Sequence, residues 1–528
     1  MPSQVYTLLV WLAVMAAAAC LAERRRWSAP ALLVCAGALL GAAPGVPQLE
    51  FEPELLLALA LPPLVWSDAL RSSWNDFRRW LRPILMLSVG LVAFTVGCVG
   101  IAAHLLFPQL PWTACFLLGA LVSPTDTIAV QAILERLHAP RRITAILGGE
   151  SLVNDATGLV AVQVCVALVW SGAFEASEVA AHFARVAGLG IAVGLLVGAA
   201  LALVNRRIQN VHALFSLSLA TPYLAYALAH EVGASGVLAV VVAGFVAAWN
   251  AHHLRGEARV ELHSAWKQLV FVGNGVCFLF IGVQTPVIAR ATDLLESPQI
   301  LWPALALTAV ALLSRVLWCA PPALLAALNA RLRGAQRDVL WSWRATTIVS
   351  WSGMRGFVSL VAALALPTLG RDGLPLPGRD VIVASTLVIV LGSLTVQGLT
   401  LQPLVHALGL RDDEDSQREV RHAREQLLEA GVSRLDEYCS TNACPVSIHH
   451  LRTHMLDELQ TLRDEDEQER RSALSRVVVS RQVRLEVAAA QERALLALRD
   501  AGRINDKTYD RLRLELDQAS LPVAREAA

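Results

Sequence analysis

Charge is scarce in this chain: of 528 residues only 17% are Asp, Glu, Lys or Arg, against 55% hydrophobic, and the charges crowd toward the C-terminal end. That balance excludes an ordinary soluble protein. A phosphate-cradling glycine loop and a nucleophile elbow are also missing, which removes the common soluble catalytic designs. No Lys or Arg precedes the first apolar run, while Arg24, Arg25 and Arg26 follow it. The run therefore lacks the basic start of a signal peptide and reads as a retained helix with its N-terminus outside. The nine cysteines supply no framework. Cys20, Cys35, Cys98, Cys115, Cys165, Cys277 and Cys319 sit in apolar runs, where Cys behaves as a small hydrophobe. Cys439 and Cys444, with His449, His450 and His454, fit no standard zinc spacing. A cytoplasmic tail would keep those two thiols reduced, so no structural disulfide is expected there.

What the chain does have is long apolar runs, each close to the roughly 20 residues that a helix needs to cross a bilayer. Thirteen transmembrane helices are expected, near 5–22, 29–43, 53–70, 84–107, 113–134, 143–171, 180–204, 213–230, 234–250, 265–289, 300–328, 341–369 and 380–408. With the N-terminus outside, the odd-to-even connections are cytoplasmic. They hold Arg24, Arg25, Arg26, Arg71, Arg78, Arg79, Arg82, Arg136, Arg141, Arg142, Arg206, Arg207, Arg255, Arg259, Arg331, Arg333 and Arg337, whereas the opposite loops offer Arg290, Arg371 and Arg379. This asymmetry satisfies the positive-inside rule. From Arg411 the composition turns charged, giving a membrane domain over 1–410 and a cytoplasmic tail over 411–528. In the tail, Leu428, Val432 and Leu435, then Leu451, Met455, Leu459 and Leu462, recur at helical spacing. Leu485 through Gly502 to Leu516 reads as helix, turn and helix.

Two apolar runs are broken near their middles, at Ser123-Pro124-Thr125-Asp126-Thr127 and at Ser350-Trp351-Ser352-Gly353-Met354-Arg355-Gly356. Either break alone is an ordinary kink. Together, in separate halves of the chain, they point to a transporter site, because unwound backbone at membrane depth survives only inside protein or along a cavity.

Gly148-Gly149-Glu150-Ser151-Leu152-Val153-Asn154-Asp155 places two carboxylates inside one apolar helix. An ionised carboxylate at the bilayer centre costs about 2.5–3.5 kcal/mol on insertion scales, so chance retention of both is implausible. At about 100° per residue Ser151 and Asp155 share one face, while Glu150 and Asn154 share its neighbour. Glu150 needs a buried cation, and Arg355 and Arg315 are the candidates. The expectation is a structural pair of Glu150 with Arg355, with Arg315 sharing it. Asp155 is left beside the Ser151 hydroxyl without an obvious cation. Exchange asks for such an acid: desolvation favours its protonated form, and a bound cation favours its ionised form. Asp126 follows a proline break and either caps the second half-helix or ligates an ion with the freed carbonyls near Thr125. Asp68 closes Leu61-Pro62-Pro63-Leu64-Val65-Trp66-Ser67-Asp68 beside the arginine-rich loop, as an entrance residue or a partner of Arg71 or Arg78.

At these residues the chain resembles the monovalent cation:proton antiporters, in the branch that contains the sodium/proton exchangers. The resemblance spans about residues 1–410 and rests on Ser123-Pro124-Thr125-Asp126, Gly149-Glu150-Ser151-Leu152-Val153-Asn154-Asp155 and Gly353-Met354-Arg355-Gly356, with the milder Leu61-Pro62-Pro63-Leu64 and Phe278-Leu279-Phe280-Ile281-Gly282. It implies an all-α polytopic fold with inverted repeats and two unwound crossing helices, assembled as a homodimer whose six-helix cores move against a dimerisation part. It implies exchange of Na+, or of K+ or Li+, for H+ across a bacterial inner membrane, electroneutral and serving pH and cation homeostasis. Carried over by motif, Asp155 is the ion- and proton-binding acid, Asp126 and Ser151 join it around transported Na+, Thr125 contributes backbone, and Asn154 is the neighbour found in the electroneutral branch. Glu150 and Arg355 match the family's structural pair, and Asp68 an acid near the ion path. Thr127 stands where some members have proline. No cofactor and no nucleic-acid partner are expected.

Two other classes compete. A channel or solute carrier would use the acids only to shape a pore, and its flux would be uncoupled from protons. A membrane-embedded enzyme would set paired carboxylates to acid/base work, but Glu150 and Asp155 face different ways. The orientation is checked by labelling: an impermeant reagent should leave a tag in the tail untouched in intact cells and reach one at the N-terminus.

Overall fold

A computed structural model describes residues 3–25, 28–43, 52–126, 130–131, 133–134, 137, 139–171, 176–294, 296–333, 342–369, 375–409, 414–441, 445–463, 490–491 and 493–495. Arg26, Thr127, Arg136, Arg337, Arg371, Arg411, Cys444 and nearly all of the expected helix–turn–helix around Gly502 lie outside them. The chain divides into two compact units, Met1–Asp412 and Asp413–Ala528.

Among the described residues the regular elements of the first unit are helices: α1 (Ser3–Arg25), α2 (Ala29–Ala42), α3 (Pro53–Arg71), α4 (Trp74–Arg79), α5 (Leu81–Leu106), α6 (Trp112–Leu121), α7 (Arg141–Ser171), α8 (Ala176–Asn205), α9 (Val211–Glu231), α10 (Gly236–Asn250), α11 (Gly256–Ala291), α12 (Pro298–Arg333), α13 (Trp343–Trp351), α14 (Phe357–Leu364) and α15 (Arg379–Leu408). Nine of these described helices, α3, α5, α7 to α12 and α15, are long and apolar enough to cross a bilayer, and α2 and α6 are shorter apolar helices.

Side-chain caps start several helices. The Ser73 hydroxyl accepts from the Asp76 N–H, Asn210 from His212 and Ala213, Ser235 from Leu238, and Ser342 from Ala345, each taking up a donor that the first helical turn leaves orphaned. The Ser73 cap starts α4, a six-residue helix that hydropathy did not reveal. Pro62 and Pro63 lie inside α3. Pro63 lacks the N–H that would bond the Leu59 carbonyl, and the Tyr223 hydroxyl donates to that carbonyl instead, at 3.0 Å.

α11 lies along α2, α8 along α10, and α12 along α15 and α5. α3 touches α7, α10, α11 and α14, and it supplies part of the wall of the site described below.

Both expected breaks are real interruptions. α6 ends at Leu121, the backbone is irregular through Asp126, and residues 130–131 and 133–134 are helical again. The second run stops at Trp351 and restarts at Phe357. The two unwound segments meet: the Asp126 N–H donates to the Met354 carbonyl at 2.7 Å. Two glycines permit the approach. A Cβ on Gly356 would overlap the Asp126 side chain, and one on Gly158 of α7 would overlap the Pro124 ring.

In the second unit α16 (Glu414–Thr441) packs on α17 (Val446–Arg463), burying Val432 and Leu459 of the expected stripes. Cys439, in the last turns of α16, is disulfide-bonded, so the expectation of reduced thiols fails for it. Redox poise alone set that expectation, and it takes no account of α17 packing on α16. Packing at the crossing gives a measurable expectation. Gly356→Ala should lower the melting temperature of the detergent-purified protein by overpacking, worth about 1–3 kcal/mol, while Gly398→Ala, where a Cβ meets nothing within 4 Å, should leave it unchanged.

Candidate functional site

α7 sorts its polar residues by face. Glu150 and Asn154 point to one side, buried, and both reach Thr125 in the first break: its hydroxyl donates to Glu150 Oε1 at 3.1 Å and accepts from Asn154 Nδ2 at 2.9 Å. Ser151 and Asp155 point to a cavity instead. The Ser151 hydroxyl leans toward the Thr125 carbonyl at 3.4 Å. Behind this stretch Thr157 donates to the Ser88 carbonyl at 2.6 Å, inside a π-helical turn of α5 at Met86–Gly90. In that turn the ladder shifts to the longer π spacing, and the Met86 carbonyl, which accepts from the Leu91 N–H, also accepts from the Trp318 indole at 3.1 Å.

The buried ion pair differs from the expected one. Glu150 is held by Arg315 of α12, whose Nη1 pairs with Oε1 and whose Nη2 donates to Oε2 at 2.6 Å, while its Nε donates to the Val349 carbonyl at 2.9 Å. Arg355 does not pair with Glu150. Its guanidinium donates to the carbonyls of Val122 at 3.1 Å, Ala311 at 2.9 Å and Gly353. The reason lies in the unwound backbone: interrupting two helices strands carbonyls at membrane depth, and an arginine with five donors can satisfy several of them. Sequence spacing could place both cations near Glu150 but could not say which would be claimed by backbone.

The cavity, about 40 Å³, takes its walls from α3, α11, the first break, α7 and the start of α14. Asp68, Asp126 and Asp155 all line it. The Asp68 and Asp155 carboxylates make neither a hydrogen bond nor a contact ion pair with any described residue, which leaves Asp68 unpaired with Arg71 or Arg78. Asn154 sits behind the wall rather than on it, so its place is to position Thr125. Asp68 also lines a polar funnel of about 300 Å³ with Arg71, Asp76, Gln131, Arg141 and Thr144. At the funnel rim Arg141 donates to Asp76 through Nε at 3.1 Å and Nη2 at 2.9 Å.

Among the described residues no three of His, Cys, Asp or Glu are grouped closely enough to hold a metal ion by themselves. A cation in the cavity would have to complete its shell with carbonyl, hydroxyl, amide or water oxygens, the hard donors that suit it. Sequence reasoning missed several wall residues, among them Asn274, Cys277 and Ser359. One signal was available for Asn274, an amide flanked by Gly273 and Gly275 within an apolar run, because polar residues at membrane depth mark function by default.

A family model described as the transmembrane sodium/hydrogen exchanger matches residues 10–407. The chain is 33% identical over 526 residues to an uncharacterized Na(+)/H(+) exchanger of Mycobacterium tuberculosis, covering 97% of this chain and 95% of the relative. It is 32% identical over 368 residues to the Na(+)/H(+) antiporter NhaP of Pseudomonas aeruginosa, 68% of this chain and 82% of that one. It is 30% identical over 430 residues to a sodium, potassium, lithium and rubidium/H(+) antiporter of Bacillus pumilus, 79% and 64% of the two. The fold is similar to that of the sodium proton antiporter MjNhaP1 of Methanocaldococcus jannaschii, with TM-score 0.62 and 18% identity over 77% of this chain and 98% of that one. Helices, paired breaks and buried acids thus describe a multi-pass secondary transporter and not an enzyme. The chain belongs to the sodium/hydrogen exchanger family.

The observed pairing changes which arginine should matter most. Arg315→Ala leaves Glu150 buried without a partner, a cost of about 3–5 kcal/mol, whereas replacing both partners by apolar groups of similar volume is often neutral. Folded yield after detergent extraction should therefore collapse in Arg315→Ala and recover in the double variant Glu150→Leu/Arg315→Met.

Proposed function

We propose that the cavity at Asp155 binds Na+ and H+ in turn and that one is exchanged for the other, one for one and without net charge movement. The observation that carries this reading is the Asp155 carboxylate: it faces the cavity and has no fixed partner among the described residues. Burying the Asp155 carboxylate at this cavity without a compensating charge is costly, so a proton or a cation belongs there at every stage. Asp126, Ser151 and the Thr125 backbone supply further oxygens, and Asp68, lining both spaces, passes ions between funnel and cavity. Asn154, an amide that does not titrate, leaves Asp155 to carry both ligands.

On the same proposal the protein is a homodimer in a bacterial inner membrane, with the N-terminus outside and both the funnel and the tail over 411–528 cytoplasmic. It serves pH and cation homeostasis. The Bacillus pumilus relative's name extends the cations to test to K+ and Li+.

The test is proton flux in reconstituted vesicles after adding Na+, K+ or Li+. Asp155→Asn should abolish the flux while inserting and folding normally, because an amide can neither take up a proton nor neutralise a cation. In the wild type the proton and the cation compete for one carboxylate. As pH falls the protonated form gains, so apparent cation affinity should weaken with acidification and recover with alkalinisation. Exchange by Asp155→Asn at the wild-type rate would overturn the reading. Exchange that builds a membrane potential when no other ion can move would assign an additional proton to Asp126 or Asp68.

A further inference from the structure

Nine buried side-chain polar atoms among the described residues have no hydrogen-bond partner, and two of them, Asn274 Oδ1 and Ser359 Oγ, belong to residues that line the cavity. Serines and threonines inside helices usually turn back onto the carbonyl three or four residues earlier. Ser352, Thr386 and Thr308 do so here, at 2.6, 2.8 and 2.9 Å. Ser359 does not. α14 begins only at Phe357, so the carbonyl four residues back, that of Arg355, belongs to the unwound segment and is approached by the Ser393 hydroxyl instead. Ser359 is 1% exposed, and it lies three residues past Gly356, the glycine that lets Asp126 pack against this segment. Its oxygen has no backbone outlet and a cavity beside it.

Asn274 belongs to another wall, that of α11, and lines the same cavity as Asp68, Asp126 and Asp155. Its amide oxygen, a hard neutral donor, is likewise buried without a hydrogen-bond partner. Since the acids are not grouped closely enough to coordinate an ion alone, neutral oxygens have to make up the shell. These two are the buried cavity-lining oxygens that the protein leaves unspent.

We propose that Asn274 and Ser359 complete the coordination of the transported cation, directly or through one bound water, and thereby set its affinity and the choice among alkali cations. The proposal rests on the exchange reading above and adds ligands to the same site. Selectivity among alkali cations follows the number and field strength of coordinating oxygens. Removing one oxygen from each wall therefore acts on binding and discrimination rather than on the Asp155 proton chemistry.

The experiment compares wild type, Asp155→Asn, Asn274→Ala, Ser359→Ala, their double variant and Ser359→Thr in proteoliposomes, each scaled to the monodisperse protein recovered. Initial proton flux is read against Na+, K+ and Li+ concentration. The double variant should raise KM for Na+ about tenfold, a binding difference of about 1.4 kcal/mol, with maximal flux within about twofold and with flattened discrimination among the three cations. Ser359→Thr, which keeps the hydroxyl, should restore the Ser359→Ala loss. Sodium-dependent thermal stabilisation at alkaline pH gives a second reading, and in the double variant its midpoint should shift to higher Na+ together with KM. Unchanged KM and discrimination in the double variant, or maximal flux falling while KM stays put, would overturn the proposal and leave these side chains merely structural. Absence of cation-driven proton flux in the wild type would overturn the exchange reading itself, a result distinct from either.

Discussion

The site depends on one buried ion pair, Glu150 with Arg315. Unwinding a helix at membrane depth strands backbone donors and acceptors where no lipid can satisfy them, so the first break has to be pinned from outside. Thr125 is the pinned residue. Its hydroxyl is caught between Glu150 and Asn154 of α7, and Glu150 is in turn gripped by both Nη atoms of Arg315 from α12. A bidentate fork fixes orientation as well as distance. Through this chain of contacts α12 dictates where the Thr125 carbonyl and the neighbouring Asp126 stand relative to Asp155.

The same pair explains how one helix carries two acids with opposite duties. A carboxylate clamped by arginine at this depth serves as scaffold. Five residues further on, the helix has turned to the cavity face, and Asp155 meets no arginine. Arg355, the other buried cation, is spent on the carbonyls of Val122, Ala311 and Gly353. That arrangement ties both breaks to α12 while leaving the Asp155 carboxylate without a contact partner among the described residues.

Much of this was legible in the sequence for a physical reason: the bilayer penalises charge and irregular backbone so heavily that each exception stands out. The two breaks, the Glu150 and Asp155 acids and their separation by face all followed from 3.6-residue periodicity and apolar context. What stayed hidden was set by three-dimensional competition. Arg315 and Arg355 look alike as partners for Glu150 until the stranded carbonyls are counted, and those exist only once the two breaks cross. The resemblance sets Asn154 beside the ion, whereas the helix face it shares with Glu150 turns it toward Thr125. Ser359 carries no sequence signal at all, since a serine in an apolar helix ordinarily bonds its own backbone. The short α4 was missed because six residues of mixed polarity leave no hydropathy trace. The Cys439 disulfide was missed because compartment, not chain geometry, was weighed.

Two spaces that share Asp68 set the energetic problem that a cation would meet on the proposed reading. One is about 300 Å³ and lined by charged and polar side chains. The other is much smaller, about 40 Å³. An ion moving from the first to the second would give up hydration and recover it from protein oxygens. A fixed cation at Asp155 would fill that space permanently and end exchange, and an apolar cavity would offer nothing in return for the lost water. The arrangement that avoids both is the one observed: buried arginines retired onto Glu150 and backbone carbonyls, with the Asp155 carboxylate and the Asn274 and Ser359 oxygens at the smaller space. On the proposed reading a proton can replace the cation there without any other charge moving, because it neutralises the same carboxylate. On that reading the structural pair and the exchange site are two halves of one electrostatic design, in which Arg315 serves transport by holding Glu150.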